Sequence, residues 1–172
     1  TLTNLTPATN YEWYVAALCD DGTMPSSVVR TFMTSCVGLD SIPYTWTFEE
    51  NISGGTTNYP MADCWSRITP ATAFTPYPYV YNYSSGAHSG SRSLYFYNYY
   101  SNAFAVMPMI DNTALTLANL QVSFFAKLSS SSYPVALEVG VMTNPTDAST
   151  FTLVQTINLT DNYPTAPYTV MF

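Results

Sequence analysis

Apolar and polar positions alternate in short stretches over most of the chain. Leu120, Val122, Phe124 and Ala126 fall on one side of an extended backbone, and Gln121, Ser123 and Lys127 fall on the other. Leu137, Val139 and Val141 alternate with Glu138, Gly140 and Met142 in the same way. The pattern predicts strands at Tyr44–Glu50, Cys64–Thr69, Tyr77–Tyr83, Ser93–Tyr97, Ala103–Met109, Leu120–Leu128, Val135–Met142, Phe151–Asn158 and Tyr168–Phe172. Near the start, Tyr11, Trp13, Val15 and Ala17 alternate with Glu12, Tyr14 and Ala16. Asp20-Asp21-Gly22 and Pro25-Ser26-Ser27 reverse the chain, and Val28–Thr34 returns. A hairpin of this size cannot bury its own apolar face.

Composition sharpens this into an all-β reading. Thr, Tyr, Val and Phe dominate and suit pleated surfaces. Long Ala, Leu, Glu and Lys stretches, the material of surface helices, are missing. Twelve prolines and seven glycines punctuate the 172 residues at short intervals, which implies many short strands in a two-sheet sandwich or jelly roll. With 47% hydrophobic and 16% aromatic residues, the chain can bury a sizeable core, which argues against disorder. Only 9% of residues are charged, with 4 Lys plus Arg against 11 Asp plus Glu. Four scattered cations cannot neutralise a phosphate backbone, which excludes a nucleic-acid partner. They are equally too few to hold an anionic membrane. No apolar run approaches ~18 residues, so no transmembrane segment is expected.

The early hairpin carries a resemblance. Leu5-x-Pro7-x-Thr9-x-Tyr11-x-Trp13-x-Val15 resembles the end of a fibronectin type III domain, with Tyr11 at the place of that family's tyrosine corner. The return strand through Phe32-Met33-Thr34 is similar to the last strand of such a module. Residues 1–36 are therefore expected to be the C-terminal part of a fibronectin type III-like sandwich. Residues 37–43 are expected to be a linker.

A second resemblance covers residues 44–172. Its opening is Pro43-Tyr44-Thr45-Trp46-Thr47-Phe48-Glu49, followed by Cys64-Trp65-Ser66-Arg67. Ser89-Gly90-Ser91-Arg92-Ser93-Leu94, Met107-Pro108-Met109-Ile110, Leu120-Gln121-Val122-Ser123-Phe124 and Glu138-Val139-Gly140-Val141-Met142 complete the series. In this order they resemble the MAM-like, cleaved-adhesin domains of Bacteroidetes surface proteins, including the adhesin regions of gingipains. The resemblance implies a concanavalin- or galactose-binding-like β jelly roll lacking its closing strand, and a chain that is a window on a longer protein. It also implies a structural calcium. Glu49 matches the glutamate that often helps bind the ion in those domains, and Asp63 is a weaker second candidate. Calcium suits sites rich in carboxylate, carbonyl and amide oxygens.

The three cysteines show no Cys-x-x-Cys spacing, and there is one His, so no zinc pattern is present. One disulfide is expected. Cys19 and Cys36 end opposite strands of the hairpin, roughly 15–20 Å apart at ~3.3 Å per residue, whereas a disulfide needs Cα atoms within ~7 Å. Cys36 with Cys64 is preferred. Cys19 with Cys36 is the alternative, if the long loop folds back.

Candidate chemistry is otherwise thin. His88 lies in the loop Ser84–Gly90 with no nucleophile or orienting acid in sequence, and reads as a structural residue. Glu49 and Glu50 are adjacent, so on a strand they would face opposite ways. The 15 tyrosines are the most visible feature. Tyr77, Tyr79, Tyr81 and Tyr83 share one strand face, and Tyr95, Tyr97 and Tyr99 share another. A ring with a polar tip suits sugar faces and protein surfaces alike, which makes Tyr77, Tyr79, Tyr95 and Tyr97 candidate ligand-binding residues. The competing and preferred reading makes one row core and the other a cross-strand ladder on a half-exposed sheet.

The expectation is a non-catalytic adhesion or ligand-binding module of a larger secreted or cell-surface protein. Its partner would be a host protein, a glycan or a neighbouring module of the same protein. The alternative is an accessory carbohydrate-binding module of a secreted glycoside hydrolase or peptidase. An extracellular or outer-surface location follows from either.

Overall fold

The computed structural model describes residues 2–16, 27–50, 52, 54–69, 74–97, 102–129, 135–160, 162 and 164–172. The fold is all-β, and its described strands form six two-stranded sheets, all antiparallel. The chain divides into two compact units, Thr1–Val37 and Gly38–Phe172.

The first unit is a hairpin of β1 (Asn10–Trp13) and β2 (Arg30–Met33). Tyr11 lies opposite Phe32, and their rings stack at 5.7 Å. The phenol oxygen of Tyr11 accepts the Thr6 N–H at 2.8 Å, closing the backbone turn ahead of the strand. Thr34 adds a second tie, its hydroxyl accepting the Thr9 N–H and donating to the Thr6 carbonyl. The predicted apolar face is not covered within the unit, with Trp13 46% and Val15 61% exposed. The reversal expected at residues 20–27 lies outside the described residues except for Ser27.

The second unit opens with residues 38–40 running parallel to residues 109–111. Leu39 donates to the Met109 carbonyl and accepts from the Asp111 N–H. Gly38 permits this approach, because a Cβ there would strike the Asp111 side chain. The predicted strand Tyr44–Glu50 does not form. Phe48 has φ of 63°, a left-handed conformation that a bulky residue adopts at a cost of ~1 kcal/mol or more. Its ring packs edge-on against Trp65 at 5.3 Å, which helps to offset that cost. Alternation of Tyr44, Trp46 and Phe48 thus reflects aromatic packing on an irregular segment.

Next comes a hairpin that periodicity does not predict, β3 (Gly54–Thr56) with β4 (Tyr59–Met61). Beyond it, β5 (Ser66–Ile68) pairs with β8 (Phe104–Val106), and β6 (Tyr79–Asn82) pairs with β7 (Arg92–Tyr95). The remaining strands are the core of the unit. β9 (Gln121–Phe124) pairs with β12 (Tyr168–Met171), and the long β10 (Val135–Met142) pairs with β11 (Phe151–Leu159). Leu128, Ile157, Leu159 and the fully buried Val170 form one cluster, with Val122, Phe124, Leu137 and Val139 packed against it. Both ribbons therefore turn their predicted apolar faces towards a common interior. A bulge between Val139 and Gly140 shifts the long ribbon's register, and Gly140 sits there too close to the Thr152 carbonyl to carry a side chain.

Candidate functional site: a tyrosine face on the β6–β7 ribbon

The β6–β7 register decides where the tyrosines point. Tyr79 lies opposite Tyr95 and Tyr81 opposite Ser93, while Val80 lies opposite Leu94 and Asn82 opposite Arg92. Side chains alternate across a strand, so Tyr79, Tyr81, Tyr95 and Ser93 occupy one face and Val80, Leu94, Asn82 and Arg92 the other. The two tyrosine rows, predicted on separate faces, are one surface. Val80 is 3% exposed and Pro78 is fully buried, so the second face is the inward one. Neither tyrosine row is core. Tyr99 of the second row lies outside the described residues.

The rings form a continuous network. Tyr79 is its hub, meeting Tyr59, Tyr81 and Tyr95 edge-to-face at 5.3, 6.0 and 5.9 Å and Tyr77 at 5.4 Å. Tyr77 also meets Tyr95 and Tyr97 at 5.6 and 5.5 Å. Tyr81 meets Tyr83 and Tyr95 at 5.8 and 5.5 Å. Edge-to-face pairs place the positive ring edge on the negative face, and each is worth ~1 kcal/mol beyond its buried area. All four predicted ligand-binding tyrosines, Tyr77, Tyr79, Tyr95 and Tyr97, thus come together. Their roles differ: Tyr77, Tyr79 and Tyr95 are half-buried by their neighbours, whereas Tyr97 is 50% exposed. Tyr81 at 41% and Tyr83 at 55% are the other open rings, and the sequence reading left both out of the candidate set. Burial, and then the charges of surrounding phenols, raise the Tyr79 and Tyr95 hydroxyls above the ordinary tyrosine range. These two phenols are therefore uncharged at neutral pH.

Two carbonyls beneath the face are held by Arg67 on β5. Its guanidinium donates to the Tyr59 carbonyl at 3.0 Å and to the Pro78 carbonyl at 3.1 Å. This joins the β3–β4 hairpin to the entry of β6 and sets Tyr59 against Tyr79. Thr69 adds a hydroxyl bond to the Tyr77 carbonyl at 2.9 Å.

Glu49 anchors the other end of β7. Its Oε1 accepts the backbone N–H groups of Ser91 and Arg92, both at 2.7 Å, and its Oε2 accepts the Ser91 hydroxyl at 3.0 Å. The Arg92 guanidinium donates to the Glu49 carbonyl. Gly90, at φ of 70°, leaves the room that the carboxylate fills. The Ser91 N–H, then the Arg92 N–H, hold the Glu49 carboxyl below the ordinary range. Both lone-pair sides of Oε1 are taken, so a calcium ion would have to displace these donors or use the remaining side of Oε2. The geometry fits an anchor for the turn into β7 rather than an open cation site. Asp63 lies in the turn preceding Cys64, and among the described residues no group of three or more His, Cys, Asp or Glu side chains is placed to hold a metal.

The remaining predicted residues fall into packing roles. Cys36 and Cys64 are disulfide-bonded, the preferred pairing. Cys19, its alternative, lies outside the described residues. His88 stacks on Phe125 with ring centroids 3.4 Å apart, and Lys127 reaches the Ser85 carbonyl, so the β6–β7 loop is docked on the segment after β9. A cavity of about 150 Å³ is lined by Thr45, Trp46, Thr47 and Glu50, and the buried Trp46 Nε1 finds no hydrogen-bond partner among the described residues. Tyr44 stacks on Trp46, and its hydroxyl accepts the Trp65 Nε1–H at 3.1 Å.

No family model matches the chain, and none of the curated proteins or solved structures compared with it matches either.

Proposed function

We propose that the chain is a non-catalytic binding module of a secreted or surface-attached protein, and that the tyrosine face of the β6–β7 ribbon contacts the ligand, a host protein or glycan. The observation behind this is a continuous layer of tyrosines that is held rigidly from below yet left open above, with Tyr81, Tyr83 and Tyr97 each two-fifths exposed or more. Tyrosine gives large contact area at little entropic cost, because it has few rotatable bonds and carries its own hydrogen-bonding tip. Clustered exposed aromatics of this kind mark interaction surfaces.

One feature supports the extracellular placement. The Cys36–Cys64 disulfide suits an oxidising compartment. The Tyr11–Thr6 hydrogen bond has the form a fibronectin-type tyrosine corner takes, which favours the adhesin-type reading of the paired modules. An accessory carbohydrate-binding role beside a catalytic domain uses the same face.

The test is a glycan array together with immobilised extracellular-matrix proteins. The 172-residue chain is compared with a Tyr81→Ala/Tyr83→Ala/Tyr97→Ala variant whose far-UV spectrum is unchanged. Binding lost in the variant supports the reading. Binding that persists unchanged places the ligand elsewhere.

A further inference from the structure

Resting on the reading of the tyrosine face as the contact surface, we infer that its ligand is an extended, uncharged polysaccharide chain lying along β6. Three observations select this class.

The first is charge. Across the β6–β7 pairing the face carries tyrosines and Ser93, while Arg92 projects from the opposite side and donates to the Glu49 carbonyl. Arg67 donates through Nη1 to the Tyr59 and Pro78 carbonyls. None of the residues on the face is cationic, Lys127 being held at the Ser85 carbonyl beyond Tyr83, and a net charge of -7 on the whole chain would repel a sulfated, uronic or phosphorylated ligand. A typical protein partner brings a rim of charges that wants complementary charges, which this face does not offer. A neutral polyol brings none, and phenol hydroxyls can donate to and accept from its own hydroxyls.

Spacing is the second. Along β6 and its two flanks the successive rings Tyr77, Tyr79, Tyr81 and Tyr83 are separated by 5.4, 6.0 and 5.8 Å. The 5.8 Å between the two exposed rings, Tyr81 and Tyr83, is close to one pyranose repeat of an extended 1,4-linked chain, so adjacent sugars can meet adjacent exposed tyrosines.

The third is ring tilt. Tyr79 stands at 82° to Tyr81, whereas Tyr81 and Tyr83 differ by 39°. The row is therefore not a flat shelf, which would suit a crystalline surface. It offers stacking faces at Tyr81 and Tyr83, flanked by hydroxyl edges, and this suits a single soluble chain. Tyr81 and Tyr83 are the stacking residues and Tyr79 is the positioning residue that sets their tilt.

The experiment is calorimetric titration of the 172-residue chain with mixed-linkage glucan, arabinoxylan and glucomannan. Polygalacturonate and heparin form the anionic arm, and immobilised collagen and fibronectin form the protein arm. Binding to at least one neutral polysaccharide is expected, unchanged between low and high salt because no ion pair is screened. Tyr81→Ala and Tyr83→Ala should each weaken it about tenfold, while Tyr81→Phe, which keeps the stacking face, should change it by less than about threefold. Preference for either polyanion, or binding that falls steeply with salt, overturns the inference. So does silence towards all three neutral probes. If matrix protein binds and loses affinity in the Ala variants while the polysaccharides do not bind, the polysaccharide assignment fails and the tyrosine face survives as the contact surface. The salt and polyanion arms use the unaltered chain, so they stand even if an Ala variant misfolds.

Discussion

Val170 and Met171 are neighbours on β12 that face opposite ways, and truncating each to Ala separates the buried side of the fold from the open one. Val170 is fully buried in the cluster with Leu128, Ile157 and Leu159, whereas Met171 is 60% exposed. Val170→Ala removes two methyl groups. At ~0.8 kcal/mol for each carbon withdrawn from the core, the transfer loss is about 1.6 kcal/mol. The vacated space of roughly 50 Å³, at ~24 cal/mol per Å³, adds about 1.2 kcal/mol if the ribbons do not collapse into it. The expected cost is therefore about 2–3 kcal/mol, or a melting temperature lower by about 4–12 °C for a chain of this size. Met171→Ala should cost less than about 0.5–1 kcal/mol, since most of that side chain already meets water. Urea unfolding followed by tryptophan fluorescence measures both, and an unchanged m value shows that the midpoint reports stability alone. A Met171→Ala cost equal to that of Val170→Ala would refute the assignment of faces on β12, and with it the packing of β9–β12 against β10–β11.

Glu49 governs a pH effect whose direction follows from its lowered pKa. Its stabilising contribution is present above the ordinary carboxylate range and is lost as pH falls through its folded pKa. Melting temperature should therefore drop on acidification more steeply in the native chain than in Glu49→Gln, and parallel profiles would reject the anchor role. Millimolar calcium should leave the native melting temperature unchanged, because the Oε1 lone pairs already hold the Ser91 and Arg92 N–H groups; a clear rise would show a cation site that this geometry does not suggest. Reducing the Cys36–Cys64 disulfide, which closes a loop of roughly 28 residues, should cost about 3–4 kcal/mol in the chain-entropy account. A non-reducing peptide map must show that same linkage. Tyr79→Ala should lower stability by about 1–3 kcal/mol through its lost ring contacts, whereas Tyr83→Ala should leave stability nearly unchanged and act on binding alone.

Much of the fold was legible because period-two alternation is a direct report of a half-buried strand. Leu137 and Val139 pack on the core cluster as their spacing required, β9, β10 and β12 form within the predicted stretches, and β11 runs one residue past its own. Alternation misled at Tyr44–Glu50, where Trp46 and Phe48 pack with aromatic neighbours and a left-handed Phe48 bends the chain. The β3–β4 hairpin was missed because its strands are three residues each and contain two glycines and a proline, leaving no periodic signal to read. The tyrosines were visible at once, but their common face was not. That depends on the register Tyr79 opposite Tyr95, which the docking of the Ser84–Ser91 loop sets through His88, Lys127 and Glu49. Those are long-range contacts, invisible to spacing. The same holds for Arg67, whose two carbonyl partners come from segments that periodicity does not bring together.

The most direct test of the binding face is a titration of the chain with tyrosine rings labelled for NMR, adding neutral polysaccharide in one series and matrix protein in another. The account predicts shifts confined to the β6–β7 tyrosines and largest at Tyr81, Tyr83 and Tyr97, with Tyr11 and Tyr168 silent. A ligand that binds while those three resonances stay fixed, or that moves Tyr11 instead, would contradict it.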